Sequence, residues 1–196
     1  ASFHFIASLT LLIYPEKWAL VRGPLPFLFS IQAVIHFLAF LALGASLAGA
    51  AILMIHFQWP DRRPHARPEN QALLRGIGQG AALGGTLLAG PLLLWDFYAA
   101  PIQALSPAAY QTALALLAVL LVVALLAVAM IRRCHARYGW PAFVLMVVAF
   151  GLNTHKLQLF QANAMQEQQL VLAAEVQERR EQYVAEREAQ YTTAQD

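Results

Sequence analysis

Charge is what this sequence has least of. Only 12% of its 196 residues are charged, against 59% hydrophobic, whereas soluble domains carry about 25% charged and about 45–50% apolar residues. The deficit is concentrated: Leu25–Phe57, Gly76–Trp95, Pro107–Ile131 and Trp140–His155 contain no Asp, Glu, Lys or Arg. A soluble fold of this size has no interior large enough to hide that much apolar surface, so water is not the solvent for these runs. Acids are also missing from mid-run positions between Leu25 and Val147. An independent ion or proton pump needs a relay of ionisable groups through the membrane centre, and that relay is lacking. The single cysteine, Cys134, excludes an internal disulfide and the Cys-x-x-Cys-His attachment of a c-type haem. A net charge of +2 is too small for the clustered basic surface that binds nucleic acid. No Ser/His/Asp order, P-loop, His-Glu-x-x-His or carboxylate pair supplies hydrolase chemistry. A basic n-region and a small-residue cleavage site are both absent around Ser2–Tyr14, so a secretory signal is not expected.

What is there reads as membrane helix. A bilayer core of about 30 Å takes about 20 helical residues, and backbone groups cannot go unpaired in lipid. Four spans are expected: Leu25–Phe57 opened by Pro24 and Pro26, then Asn70–Phe97, then Pro107 to Arg132, and a last helix opened by Gly139-Trp140-Pro141. Ser2–Tyr14 is apolar but short for a span unless the chain begins upstream of Ala1 or the segment is re-entrant, and Pro15-Glu16-Lys17-Trp18 after it has the composition of an interface. The expected fold is therefore all-α: an integral membrane bundle of about four full spans plus a short N-terminal membrane segment, over residues 1–160. A long charged extramembrane helix over residues 161–196 completes it. No proline or glycine follows Gly151, so the last helix can run on to about Tyr191.

Residues 166–196 carry seven acids and three arginines, with Glu175 and Arg179 at the i,i+4 spacing that supports an exposed helix. Leu170, Leu172, Val176, Tyr183 and Val184 are too sparse for the sustained heptads of a coiled coil. They fit a solvated helix or one docked on a partner subunit. Seven arginines, Arg62, Arg63, Arg67, Arg75, Arg132, Arg133 and Arg137, fall in or beside two loops on one side. By the positive-inside rule these loops are cytoplasmic, which sends the C-terminal tail to the periplasm of a bacterial inner membrane, against the minor contrary signal of Lys17 and Arg22.

Histidines within apolar runs are the candidate site residues, because ionisable groups at membrane depth face a cavity, a partner or a cofactor. His36 lies ~18 Å along its helix from Pro24, and His4 ~15 Å back from Tyr14, at 1.5 Å per residue. Two imidazoles at matched depth can ligate one haem b iron, making His4 and His36 candidate metal ligands. The competing reading is that each hydrogen-bonds a neighbouring helix. His155, within Asn153-Thr154-His155-Lys156, is a candidate contact for a quinone carbonyl or a haem propionate, or simply marks the water interface. His56, His65 and His135 sit at or beyond the cytoplasmic boundary. Asp96 stands at the end of its run as a candidate partner for Lys17, Arg22 or Lys156. Gly76, Gly80 and Gly84 repeat at i,i+4 with Gly85 alongside, and Gly44 and Gly49 sit among small residues, as in close-packed membrane helices.

Through Val34-Ile35-His36-Phe37-Leu38-Ala39 and the helix after Asn153-Thr154-His155, the chain resembles membrane subunits of bacterial respiratory cytochrome complexes. That resemblance implies one subunit of a quinol-oxidising oxidoreductase, contacting quinone, other membrane subunits and a periplasmic c-type cytochrome or soluble subunit docked on the C-terminal helix. The sequence departs from the familiar cytochrome b pattern of two histidines about four turns apart on one helix, since His36 and His56 are twenty residues apart. One haem at most is implied. A non-catalytic assembly subunit, anchoring partners through its glycine-rich faces and its tail, is the alternative.

Overall fold

The computed structural model describes residues 2–14, 30–58, 68–133 and 138–193. They form five α-helices and one 3-10 turn: α1 (Ser2–Ile13), α2 (Ile31–Gln58), α3 (Pro68–Tyr98), the turn Ile102–Ala104, α4 (Pro107–Arg133) and α5 (Gly139–Thr193). Helices α2 to α5 are each long and apolar enough to cross a membrane, and α1 is a shorter apolar helix. Twelve residues make α1 ~18 Å long, less than a bilayer core. The expected interface segment after Tyr14, both arginine-rich loops, His65 and Cys134 lie outside the described residues.

Helix α2 begins at Ile31 rather than near Leu25. Ser30 ends the preceding chain as its N-cap, its hydroxyl accepting from the Ala33 N–H at 3.3 Å. Helix α3 runs through Pro91 without breaking. The amide that proline removes is tolerable where neighbouring helices shield the backbone.

The tightest contact in the bundle joins α2 and α3. A Cβ on Gly85 would lie 2.6 Å from Ala42 O and Ser46 N, and one on Gly49 would collide with the Ala82 backbone. These glycines let the two backbones touch. The expected row Gly76, Gly80 and Gly84 does not take part: nothing lies within 4 Å of where their Cβ atoms would be, and the same holds for Gly44. The contact face instead runs through Gly78, Ala82, Gly85 and Ala89, with both alanines fully buried. In its centre Thr86 donates to Ala82 O at 2.6 Å, and Ser46 lies 2.6 Å from the Thr86 hydroxyl. Both hydroxyls are buried and satisfied, as lipid-embedded polar groups must be.

Around this seam, Leu116, Leu120, Val123 and Met130 of α4 and Met146 and Ala149 of α5 complete the main core. A second, smaller core packs Ile13 and Tyr14 against Ala104, Ala109, Phe160 and Ala164. Tyr14 OH donates to Ala99 O at 3.0 Å, Gln161 to Leu9 O at 3.1 Å and Asn163 to Ala104 O at 3.0 Å. Packing of α5 on the bundle thus continues to Ala164. From residue 169 onward every described side chain of α5 is exposed. The 55 residues of α5 extend ~80 Å, well beyond the bilayer core they cross.

Candidate functional site

Three ionisable side chains from three helices meet inside the bundle. Asp96, two residues before the end of α3, places Oδ1 2.7 Å from His36 Nε2 and Oδ2 2.5 Å from Lys156 Nζ. The side chains are 3% (Asp96), 7% (His36) and 1% (Lys156) exposed, so the cluster is essentially desolvated. Lys156 Nζ also lies 5.4 Å from the centre of the Phe160 ring, a cation–π contact that shields its outer side. Burying three such groups is costly unless they pair, and the arrangement meets that condition with a single carboxylate between two nitrogen bases.

Hydrogen bonding constrains where the protons sit. His36 Nδ1 lies 2.9 Å from the carbonyl of Gln32, and a carbonyl only accepts, so Nδ1 carries a proton. On a neutral ring Nε2 would then direct a bare lone pair at a carboxylate oxygen 2.7 Å away. A proton held on either His36 or Asp96 removes that repulsion. The Nε2–Oδ1 approach does not meet hydrogen-bond geometry, leaving Nε2 without a well-directed partner.

Two members of the cluster open onto a cleft. His36 and Asp96 line a space of about 630 Å³ between α1, α2, α3 and α5, walled by Phe5, Ile6, Leu9, Phe40, Leu93, Phe150 and Leu157. Thr10, Asn153, Thr154, Gln158 and Gln161 supply its remaining polar surface. The size falls in the range of sites for small organic ligands, and apolar walls with a few convergent polar groups are their usual make-up. Lys156 lines instead a smaller apolar space of about 190 Å³, with Phe97, Tyr110 and leucines of α3 and α4.

The expected site residues are dispersed. His36 belongs to the cluster, but it is joined to Asp96, and through it to Lys156, and not to His4. His4 is exposed on α1, its ring edge-on to Phe3 with centroids 6.4 Å apart. His155 is exposed too, pointing away from the cleft that its neighbours Asn153 and Thr154 line. Of the partners expected for Asp96, the structure selects Lys156 and adds His36. Lys17 and Arg22 lie outside the described residues. Sequence reasoning missed the His36–Asp96 pair because it started α2 too early: counted from Ile31, His36 is only ~7.5 Å along its helix and level with the end of α3.

No family model matches the chain, and no curated protein or solved structure is significantly similar to it.

Proposed function

We propose that this protein is a membrane subunit of a bacterial respiratory electron-transfer complex and that its cleft is a binding site for the quinone pool. The observation that carries this reading is a buried His36–Asp96–Lys156 cluster of which His36 and Asp96 line an apolar cleft between membrane helices. A quinone has an apolar tail that partitions into lipid and a ring whose two oxygens need polar partners. Phe40 and Phe150, whose rings meet edge to face with centroids 6.1 Å apart, offer an aromatic wall for such a ring. His36 and Asp96 offer it a proton-exchanging pair. Oxidation of a quinol yields the quinone, two protons and two electrons. This chain's residues accept protons, and the electrons pass to a redox centre on another subunit of the complex. On the orientation set by the arginine-rich loops, the cleft lies towards the periplasmic side, and so does the exposed tail on which a periplasmic c-type cytochrome or soluble subunit would dock.

A haem b held by His4 and His36 has weaker support. His36 already faces Gln32 O and Asp96 with its two ring nitrogens, and iron ligation would require Nε2 to leave the carboxylate.

The test is equilibrium binding of a short-chain benzoquinone analogue to the full chain in nanodiscs, with a pyridine haemochrome assay on the same sample. Saturable one-to-one binding, weakened at least tenfold by His36→Leu, is expected. Absence of saturable binding contradicts the proposal. A b-type signal lost in His36→Ala would replace it with the haem reading.

A further inference from the structure

The polar atoms of the cleft differ in how they are already used. Thr10 donates to Ile6 O at 2.8 Å, Thr154 to Phe150 O at 3.0 Å and Gln161 to Leu9 O at 3.1 Å. His36 Nδ1 donates to Gln32 O at 2.9 Å. Four donors on the wall are therefore committed to backbone carbonyls, each on its own helix or, for Gln161, across to α1. The acceptors are left over. Asn153 Oδ1 is buried on the cleft wall with no hydrogen-bond partner, and both threonine oxygens and Gln161 Oε1 keep lone pairs. Among the described lining residues, the side-chain donors not committed in this way to backbone carbonyls are the amide nitrogens of Asn153 and Gln158, the second N–H of Gln161 and the His36–Asp96 pair itself. An unpaired buried acceptor is unfavourable, and what relieves it is a donor.

We infer that the cleft selects the hydroxyl-bearing, reduced form of its ligand, a hydroquinone in preference to the corresponding quinone, with Asn153 as the residue that discriminates. This rests on the quinone-pool reading given above. A hydroxyl satisfies both ends of the Asn153 amide, donating to Oδ1 while accepting from Nδ2. A ring carbonyl can only accept, so it leaves Oδ1 unpaired. A site built to bond a hydroxyl rejects the analogue that lacks the proton for the same reason that polar specificity exceeds apolar specificity in general. Binding the reduced form more tightly makes quinol the substrate that this chain presents to its complex, and quinone the product that leaves.

The experiment compares one short-chain analogue in its dithionite-reduced and oxidised forms, binding to the full chain in nanodiscs under argon, for wild type, Asn153→Leu and Thr154→Val. Wild type is expected to bind the reduced form about tenfold more tightly, the ratio that one unpaired buried acceptor produces. Asn153→Leu is expected to bring the two affinities together. Thr154→Val, whose hydroxyl is spent on Phe150 O, should keep the preference. Equal affinities of wild type for the two forms overturn the inference and leave the quinone-pool site standing. A preference that persists unchanged in a folded Asn153→Leu overturns the role of Asn153. Absence of binding by either form overturns the quinone-pool reading and this inference with it. Should Asn153→Leu fail to fold, Asn153→Ala takes its place: a lost preference supports the role of Asn153 and an unchanged one overturns it.

Discussion

Removing the carboxylate alone from the buried cluster should cost more than removing it together with the ammonium. Asp96→Asn leaves the Lys156 ammonium, 1% exposed, without a counter-charge in a low-dielectric interior. Breaking a buried pair from one side typically costs about 3–5 kcal/mol, because the survivor stays desolvated and unpaired. Lys156→Met keeps the length of the side chain and leaves Asp96 beside His36 at 2.7 Å, so its cost should be lower, about 1–3 kcal/mol. The double variant buries neither the carboxylate nor the ammonium, and the amide nitrogen of its asparagine can donate to the bare Nε2 of a neutral His36. Its cost should therefore not exceed that of Lys156→Met alone, in line with the near-neutral replacement of whole buried pairs by uncharged residues. The resulting coupling energy, at least about 3 kcal/mol, sits at the top of what contacting residues show. Reversible unfolding in mixed micelles, followed by helical circular dichroism for all four proteins, measures it. Costs that simply add, within about 0.5 kcal/mol, would refute the argument that Asp96 and Lys156 depend on each other for burial.

Two further expectations concern packing. Gly85→Ala pushes a methyl against the Ala42 and Ser46 backbones and should destabilise the bundle by about 1–3 kcal/mol, whereas Gly84→Ala meets open space and should be neutral or slightly stabilising; the pair is read by the same unfolding assay. Truncation after Gln169 removes only exposed side chains of α5 among those described. It should leave the melting temperature of the bundle within a degree or two while abolishing any pull-down of a partner that docks on the tail.

How much of this was legible beforehand differs from element to element. The spans were legible because length and the absence of charge are properties of a run, insensitive to which way any one side chain points. The continuation of α5 to Thr193 was legible for a similar reason, since nothing after Gly151 can break a helix. Which face of α3 meets α2 was not. Gly76, Gly80 and Gly84 make the more conspicuous row, yet the contact falls on Gly78, Ala82, Gly85 and Ala89. Small alanines do the same work as glycine and carry no signal in an alanine-rich chain. The site failed at one point in particular. Asp96 and Lys156 were recognisable as possible partners, the acid and the base that end the uncharged runs of two spans of the same direction. His36 was placed too deep to join them, because Ser30 as an N-cap was overlooked in favour of Pro24 and Pro26. Moving that boundary six residues shifts His36 by ~9 Å, enough to turn a haem-ligand candidate into the partner of a carboxylate.

The central claim is that the cleft over His36 and Asp96 is where a quinone ring sits, and photolabelling tests it most directly. The full chain in native-lipid nanodiscs is illuminated with an azido-benzoquinone analogue, and the labelled peptides are mapped by mass spectrometry. Labelling is expected at Phe40, Phe150 or Leu157, suppressed by excess unlabelled analogue and by His36→Leu. Competable labelling confined to the outer face of α4, at Leu114, Leu121 or Leu125, would contradict the account.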